Sequence, residues 1–442
     1  MRRFILASLV FATVAITPAA PLVDDLDAYL RARTGHGTFS GVVLVARGDR
    51  VVFERAYGEA NYETTTDNTP ATLFRIASIT KPLVATGILS LVTQGRMHLS
   101  DSVCQYLSRC PAGWDAVRIE NLLAFSSGIP DIFESVAAVP PAQLRAAVDT
   151  TIQSLPTGKK ALAFVPGSAF SYSNFDYLLL GYASEVASGK SWMAVLRDHV
   201  LKSAEMTQTQ YDDPWAIIPA RARGYLATGA GMQNTKYEDD GALSAGGLLS
   251  TAGDLYRFLR AFHEDRLIPE TLVEQALQAN AGGYGFGWQI TQYFGLPVSD
   301  FSGGTNGFSG NISYYSADAL SIVVLTNVEN VGAKGIACDV GAIVHGGLPR
   351  DEALNFAPID KMQALPVLGT YVAPDGTERR FGFSSGHLVY RRGTSTAILL
   401  SDGPSKFAML DHPDTVFDFS TKDRVQASSC GRMLFSGSRA AH

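Results

Sequence analysis

Two β-rich runs near the start of the chain, Ser40-Gly-Val-Val-Leu-Val-Ala46 and Val51-Val-Phe-Glu-Arg-Ala-Tyr57, flank the turn residues Arg47-Gly-Asp-Arg50 and predict a hairpin. A hairpin alone is marginal in water, so this one needs further strands. The next β-rich runs come only at 284–292, 308–315 and 320–326. Between them, from about 76 to 280, the pattern is mostly helical. Ile79, Leu83, Val84, Ile88, Leu91 and Val92 form one apolar stripe that Gly95 can end. Residues 176–188 and 192–201 read as two more helices, and 251–263 as another, capped by Thr251. Before the hairpin, 21–34 reads as a helix with Leu22, Leu26, Tyr29 and Leu30 on one face. The fold class predicted is α+β, with the N- and C-terminal strands sharing one antiparallel sheet around a helical insert.

Beyond about 364 the pattern changes to short β runs. They are 369–372, 380–383, 387–390, 397–400, 406–410, 416–419 and 433–435, separated by turn residues. This predicts a small C-terminal all-β domain of barrel-like form. The first residues are not fold. Met1-Arg2-Arg3 is basic, Phe4 to Ile16 is an uncharged apolar run, and Thr17 to Ala20 are small residues and a proline, as in a secretory signal peptide. The expected domains are therefore a signal peptide over 1–20, a hydrolase domain over 21–355 and a β-rich accessory domain over 356–442.

A leader directs the chain to a periplasmic or secreted location, where disulfides persist. Cys104 and Cys110 are near enough in sequence to close a small loop, which leaves Cys338 with Cys430; the alternative is four buried thiols. No CxxC, HxxH or HExxH occurs, so no metal is expected. The net charge of -6 without a run of Lys or Arg makes nucleic acid a poor partner. No segment after the leader is long enough to span a bilayer, so no stable membrane insertion is expected once it is removed.

Three short motifs carry chemistry. Ser78-Ile79-Thr80-Lys81 opens the apolar-striped helix and is the only SxxK in the chain. Serine is a weak nucleophile until a base takes its proton, and a lysine three residues on shares its helix face. Burial would depress the lysine pKa enough for it to act as that base. Tyr172-Ser173-Asn174, the only YxN, precedes another helix. A tyrosine beside a cation can share the proton-transfer role, and an asparagine amide can hold substrate and lysine together. Phe301-Ser302-Gly303-Gly304 offers an edge strand that permits close backbone approach, with Phe301, Ser302 and Gly303 beside the substrate. The N–H of Gly304 could pair with that of Ser78 as an oxyanion hole.

SxxK, YxN and a Ser-Gly element in this order resemble the superfamily of class C β-lactamases, penicillin-binding proteins and family VIII carboxylesterases. The segments 72–78, 121–128, 166–174, 246–254 and 284–288 are similar to it as well, so the resemblance covers about 24–345. It implies an antiparallel sheet with helices on both faces beside an all-helical subdomain, an acyl-enzyme on Ser78, proton transfer shared by Lys81 and Tyr172, substrate positioning by Asn174, and no cofactor. Two positions depart from the pattern. Phe301 stands where relatives carry Lys or His, and Phe125 where many carry His. A phenylalanine cannot pair with an anion. The expected substrate is therefore a small neutral ester or amide rather than a β-lactam or a D-alanyl peptide.

Other readings are weaker. No GxSxG elbow supports an α/β-hydrolase. Gly189-Lys190-Ser191 looks like the end of a P-loop, but Ser184 stands where its first glycine would be. Tyr177, Tyr182, Phe258 and Phe262 are expected in the core. A D-alanyl (cell-wall) peptide hydrolase or β-lactamase, and a catalytically silent binding or regulatory relative, are the remaining alternatives. The silent reading is opposed by intact Ser78, Lys81, Tyr172 and Asn174.

Overall fold

The computed structural model describes residues 19–35, 37–155, 162–228, 231–235, 242–347, 359–384, 386–392, 395–401, 405–409, 415–430 and 432–440. The expected leader, but for its last two residues, and most of the stretch joining the two expected domains lie outside them. No helix among the described residues is long and apolar enough to cross a membrane.

Six antiparallel strands form the central sheet: β1 (Gly41–Arg47), β2 (Arg50–Tyr57), β3 (Gln289–Tyr293), β4 (Leu296–Thr305), β5 (Phe308–Tyr315) and β6 (Leu320–Thr326). Their spatial order is β3-β4-β5-β6-β1-β2, so the hairpin does join strands from the far end of the helical insert. Five helices position the site: α1 (Ala19–Gly35), α2 (Thr80–Thr93), α3 (Asn174–Ser188), α4 (Ala252–His263) and α5 (Ala333–Val344).

The strand period of two divides β1 between two cores. Val43 and Val45 pack with Leu26 and Leu30 of α1 and with Ile336 and Val340 of α5. Val42, Leu44 and Ala46 face the other way, into the core that holds Leu255, Phe258, Leu259 and Phe262 of α4. Those four positions form a one-sided helical stripe, and all four are fully buried. The Thr251 hydroxyl caps this helix by accepting from the Asp254 N–H at 3.1 Å, as the sequence predicts. The aromatic residues Tyr177, Tyr182, Phe258 and Phe262 are likewise core.

Local differences from the sequence reading have local causes. The run at 284–292 becomes a strand only from Gln289, because Gly283 and Gly287 take positive φ values of 79° and 78°. The segment before it keeps a single bridge, between Tyr284 and Gln289. The helix expected over 192–201 is α-helical only over Trp192–Leu196 and continues as a π-helical turn over Arg197–Leu201. A three-stranded sheet of Phe74–Arg75, Leu248–Ser250 and Gln210–Tyr211 lies within the helical insert, where no strand is expected.

The C-terminal part is a closed barrel of eight antiparallel strands, from Gly369–Val372 to Arg432–Arg439. It closes by pairing Tyr371 with Arg439 and Val372 with Ser438, which removes the open edges that the end strands would present. Tyr371, Phe381, Leu388, Leu399, Phe407, Phe417, Val425 and Phe435 fill it. The strand missing from the sequence reading is Arg424–Ser429, where only Val425 and Ala427 supply the inward apolar alternation.

Both disulfides form as paired above. Cys104–Cys110 closes a short loop, and Cys338–Cys430 joins α5 to the barrel across a sequence separation of 92. Closing so long a loop lowers the entropy of the unfolded chain, a contribution on the order of 4 kcal/mol.

Candidate active site

Ser78 lies in a single 3-10 turn, Ala77–Ile79, that leads directly into α2. Lys81, three residues on in the first turn of α2, falls on the same face as Ser78. The Lys81 Nζ is 3.0 Å from the Ser78 Oγ. Pro82 lacks an N–H where the first helical turn leaves N–H groups without carbonyl partners anyway. At the other end Gly95, at φ 68°, terminates α2, and the Arg96 N–H turns back to the Leu91 carbonyl at 3.0 Å.

The second motif forms the start of α3, and each of its three residues has a separate task. The Ser173 hydroxyl is the cap, accepting from the Asp176 N–H at 3.1 Å. The Asn174 Oδ1 accepts from Lys81 at 2.8 Å. The Tyr172 hydroxyl donates to the Ser78 Oγ at 2.9 Å. Asp131 fixes this turn from outside, accepting from the N–H groups of Asn174 and Phe175, each at 3.1 Å. An aspartate at a helix N-terminus also complements its dipole.

Lys81 is fully buried, whereas Ser78 is partly open to solvent. The lysine also donates to the Ala245 carbonyl at 2.7 Å. The Asn174 and Ala245 oxygens can only accept. When the amine is neutral they take its two hydrogens, and its lone pair is left for the Ser78 hydroxyl. Burial raises the Tyr172 pKa well above the usual phenol value, although its bond to Ser78 acts in the opposite direction. Tyr172 is thus a neutral proton donor at ordinary pH.

Three residues around this centre adopt left-handed backbone without being glycine: Ala77 at φ 44°, Phe125 at 54° and Leu243 at 40°. Ala77 immediately precedes Ser78. Leu243 starts the turn that presents the Ala245 carbonyl. Such conformations cost about 1–3 kcal/mol each and persist only where the surroundings enforce them.

The third motif completes the site from the sheet. Strand β3 pairs with β4 only as far as Asp300, so from Phe301 onward β4 no longer pairs with β3. Here β4 runs against the backbone of Ser78 itself. A Cβ at Gly303 would lie 2.1 Å from the Ile76 carbonyl oxygen and 3.1 Å from the Ser78 nitrogen. Both contacts are backbone and cannot yield, whereas a Cβ at Gly304 would meet nothing within 4 Å. Gly303→Ala should therefore lose about 3 kcal/mol and depress kcat/KM, while Gly304→Ala keeps its Tm. Thermal unfolding of both variants checks this, and an unchanged Tm for Gly303→Ala would contradict the packing.

Phe301 is buried and meets Tyr284 edge-on, with ring centroids 6.2 Å apart. Phe125 stacks on Tyr172 at 4.7 Å and meets Tyr284 at 5.4 Å. The two departures from the sequence pattern are therefore joined through one aromatic cluster. Ser302 faces the opposite side of the sheet, where its hydroxyl accepts from the Asn311 Nδ2 at 3.0 Å.

The fold thus brings Ser78, Lys81, Tyr172, Asn174 and the Gly303 backbone together. Ala245, Asp131, Phe170 and Tyr284 were not singled out from sequence. Ala245 acts through a carbonyl that any residue carries, so nothing in the sequence marks it. Tyr284 does sit in one of the segments that resemble the superfamily. Among the described residues no group of three or more His, Cys, Asp or Glu is placed to hold a metal.

A family model described as Beta-lactamase matches residues 26–339. The putative penicillin-binding protein PbpX of Bacillus subtilis (strain 168) is 27% identical over 300 residues, which cover 67% of this chain and 73% of that protein. Among solved structures, the octameric penicillin-binding protein homologue from Pyrococcus abyssi superposes with a TM-score of 0.68 at 22% identity, covering 92% of this chain and 98% of the other. That share is too large to leave out the barrel. The D-amino acid amidase from Ochrobactrum anthropi SV3 gives 0.64 at 20% identity, over 74% of this chain and 99% of its own. At these identities the two structural likenesses are likenesses of fold.

Proposed function

Since the chain belongs to the beta-lactamase family of serine hydrolases, we propose that it hydrolyses a small, uncharged ester or amide outside the cytoplasm through an acyl-enzyme on Ser78. The observation that carries this reading is the convergence on one oxygen: Lys81 Nζ at 3.0 Å and Tyr172 OH at 2.9 Å from Ser78 Oγ. Nucleophile, base and acid lie within hydrogen-bond reach, as acyl transfer requires.

In the first step the neutral Lys81 amine takes the Ser78 proton as Oγ attacks the substrate carbonyl carbon. The developing oxyanion is met by the N–H groups of Ser78 and Gly304. The neutral Tyr172 phenol gives its proton to the departing alkoxide or amine and is reprotonated from Lys81. Water then repeats the sequence on the acyl-enzyme, losing its proton to the same pair and releasing the acid and free Ser78. Asn174 holds the lysine in place throughout. Export is supported by the two disulfides, which persist in oxidising compartments.

The aromatic cluster supports an uncharged substrate. Phe125 and Phe301 are both fully or nearly fully buried and supply no charge to the cleft. Neither position can offer a carboxylate the cation that would offset its lost water. The test compares a short-chain p-nitrophenyl ester, a chromogenic cephalosporin and a D-alanyl-terminated muropeptide, each with wild type and Ser78→Ala. Ester turnover that vanishes in the variant, with little cephalosporin cleavage or D-alanine release, is the expected result. Rapid Ser78-dependent cephalosporin cleavage would reassign the protein to a β-lactamase, and D-alanine release to a peptidase. Equal behaviour of wild type and variant on all three would leave a silent relative.

A further inference from the structure

Tyr284 is the hub of the aromatic cluster. Its ring stacks on Phe170 at 4.9 Å and 13°, and it meets Phe125 at 5.4 Å, Phe301 at 6.2 Å and Tyr172 at 6.5 Å. The residue is only partly exposed. Rings packed in this way almost always give their polar end a partner. The neighbouring phenols conform: Tyr172 donates to Ser78 and Tyr177 to the Leu123 carbonyl at 3.1 Å. The Tyr284 hydroxyl makes no hydrogen bond among the described residues, and it is not sealed from solvent. It is a donor open to solvent, one ring away from the phenol that touches Ser78.

The surroundings define what it could bind. Phe125, Phe170 and Phe301 supply no charge. The cation that influences Tyr284 is Lys334, which pairs with Asp300 at 3.5 Å and donates to the Gln289 Oε1 at 3.0 Å. Burial raises the Tyr284 pKa, so its hydroxyl keeps its proton. A neutral donor in an apolar wall suits an uncharged acceptor better than an anion, which would be desolvated there.

We propose that the Tyr284 hydroxyl is a substrate subsite, donating to an uncharged carbonyl in the acyl portion of the substrate. The enzyme therefore prefers N-acylamino esters or amides to plain alkyl esters. This rests on the reading of the cleft as an acyl-transfer site. A neutral hydrogen bond of this kind changes affinity by about 3- to 10-fold.

The test uses the p-nitrophenyl esters of N-acetylglycine and of pentanoic acid, which match in length and differ in the internal amide. The readout is the ratio of their kcat/KM values in wild type and Tyr284→Phe, which retains the ring. The ratio should fall about 3- to 10-fold in the variant, mainly through KM. An unchanged ratio, including an equal fall on both esters, would overturn the proposal. Calorimetric binding of N-acetylglycine methylamide to Ser78→Ala and to Ser78→Ala/Tyr284→Phe separates the two levels of inference. A comparable loss of affinity in the double variant supports the subsite even if neither ester is turned over and the hydrolase reading falls. Equal affinities would overturn the subsite by themselves.

Discussion

Replacing Lys81 by methionine should stop turnover as completely as removing Ser78, a loss of about 10⁴-fold or more in kcat/KM. Methionine nearly fills the space of the lysine stem, so the result reports the amine rather than a cavity. The reason for so large an effect is the geometry around Nζ. Two of its contacts, the Asn174 Oδ1 at 2.8 Å and the Ala245 carbonyl at 2.7 Å, are obligate acceptors. They orient the amine so that its remaining valence meets Ser78, and no other side chain could substitute without rebuilding α3. Because Ser78 and Lys81 act as one unit, the double variant Ser78→Ala/Lys81→Met should be no worse than either single one. Steady-state kinetics on a p-nitrophenyl ester measure all three. A Lys81→Met enzyme retaining a tenth of the wild-type rate would remove Lys81 as the base. Some loss of stability is also expected, since the two acceptors are left unpaired in a buried place.

The second large effect concerns Tyr172. Tyr172→Phe should lower kcat/KM by about 10²- to 10⁴-fold, the range for removing a positioned proton donor. The accompanying pH profile is the sharper measurement. The active form of this group is the protonated phenol. Burial beneath the Phe125 ring raises its pKa from the ordinary 10.0, with Tyr284 and Asp131 acting in the same direction, so the donor persists as pH rises. No alkaline fall in kcat/KM assignable to Tyr172 should therefore appear between pH 8 and about 10, where an unshifted phenol begins to titrate. An alkaline limb in that window that disappears in Tyr172→Phe would mean that the phenol is not held neutral. The stacked Phe125, 4.7 Å away, would then be a poor account of its environment.

The sequence reveals the parts of this site whose chemistry is local. The spacing of Ser78 and Lys81, the helix starts marked by Ser173 and Thr251, and the stop at Gly95 follow from short-range geometry. Each forms as that geometry predicts. The shared sheet was legible too, because strands are scarce between 57 and 289 and the hairpin needs partners. What the sequence conceals is assembled across distance. Phe125 and Phe301 read separately as two losses of a polar group; only the fold makes them neighbours of one ring, Tyr284. Arg424–Ser429 escapes notice because a barrel strand with one valine and one alanine inward looks like a loop. The positive φ at Ala77 has no signal at all, since alanine gives no warning of the strained turn that presents Ser78.

The bond between Cys338 and Cys430 has a consequence for how the molecule comes apart. It is a staple whose two ends lie in the body of the hydrolase and in the barrel, with the whole connecting chain between them. A protease that cuts once anywhere between the two cysteines produces two polypeptides but still one particle. The bond must be reduced before they can part. In a compartment rich in proteases the barrel remains attached to its hydrolase after the peptide connection has been lost.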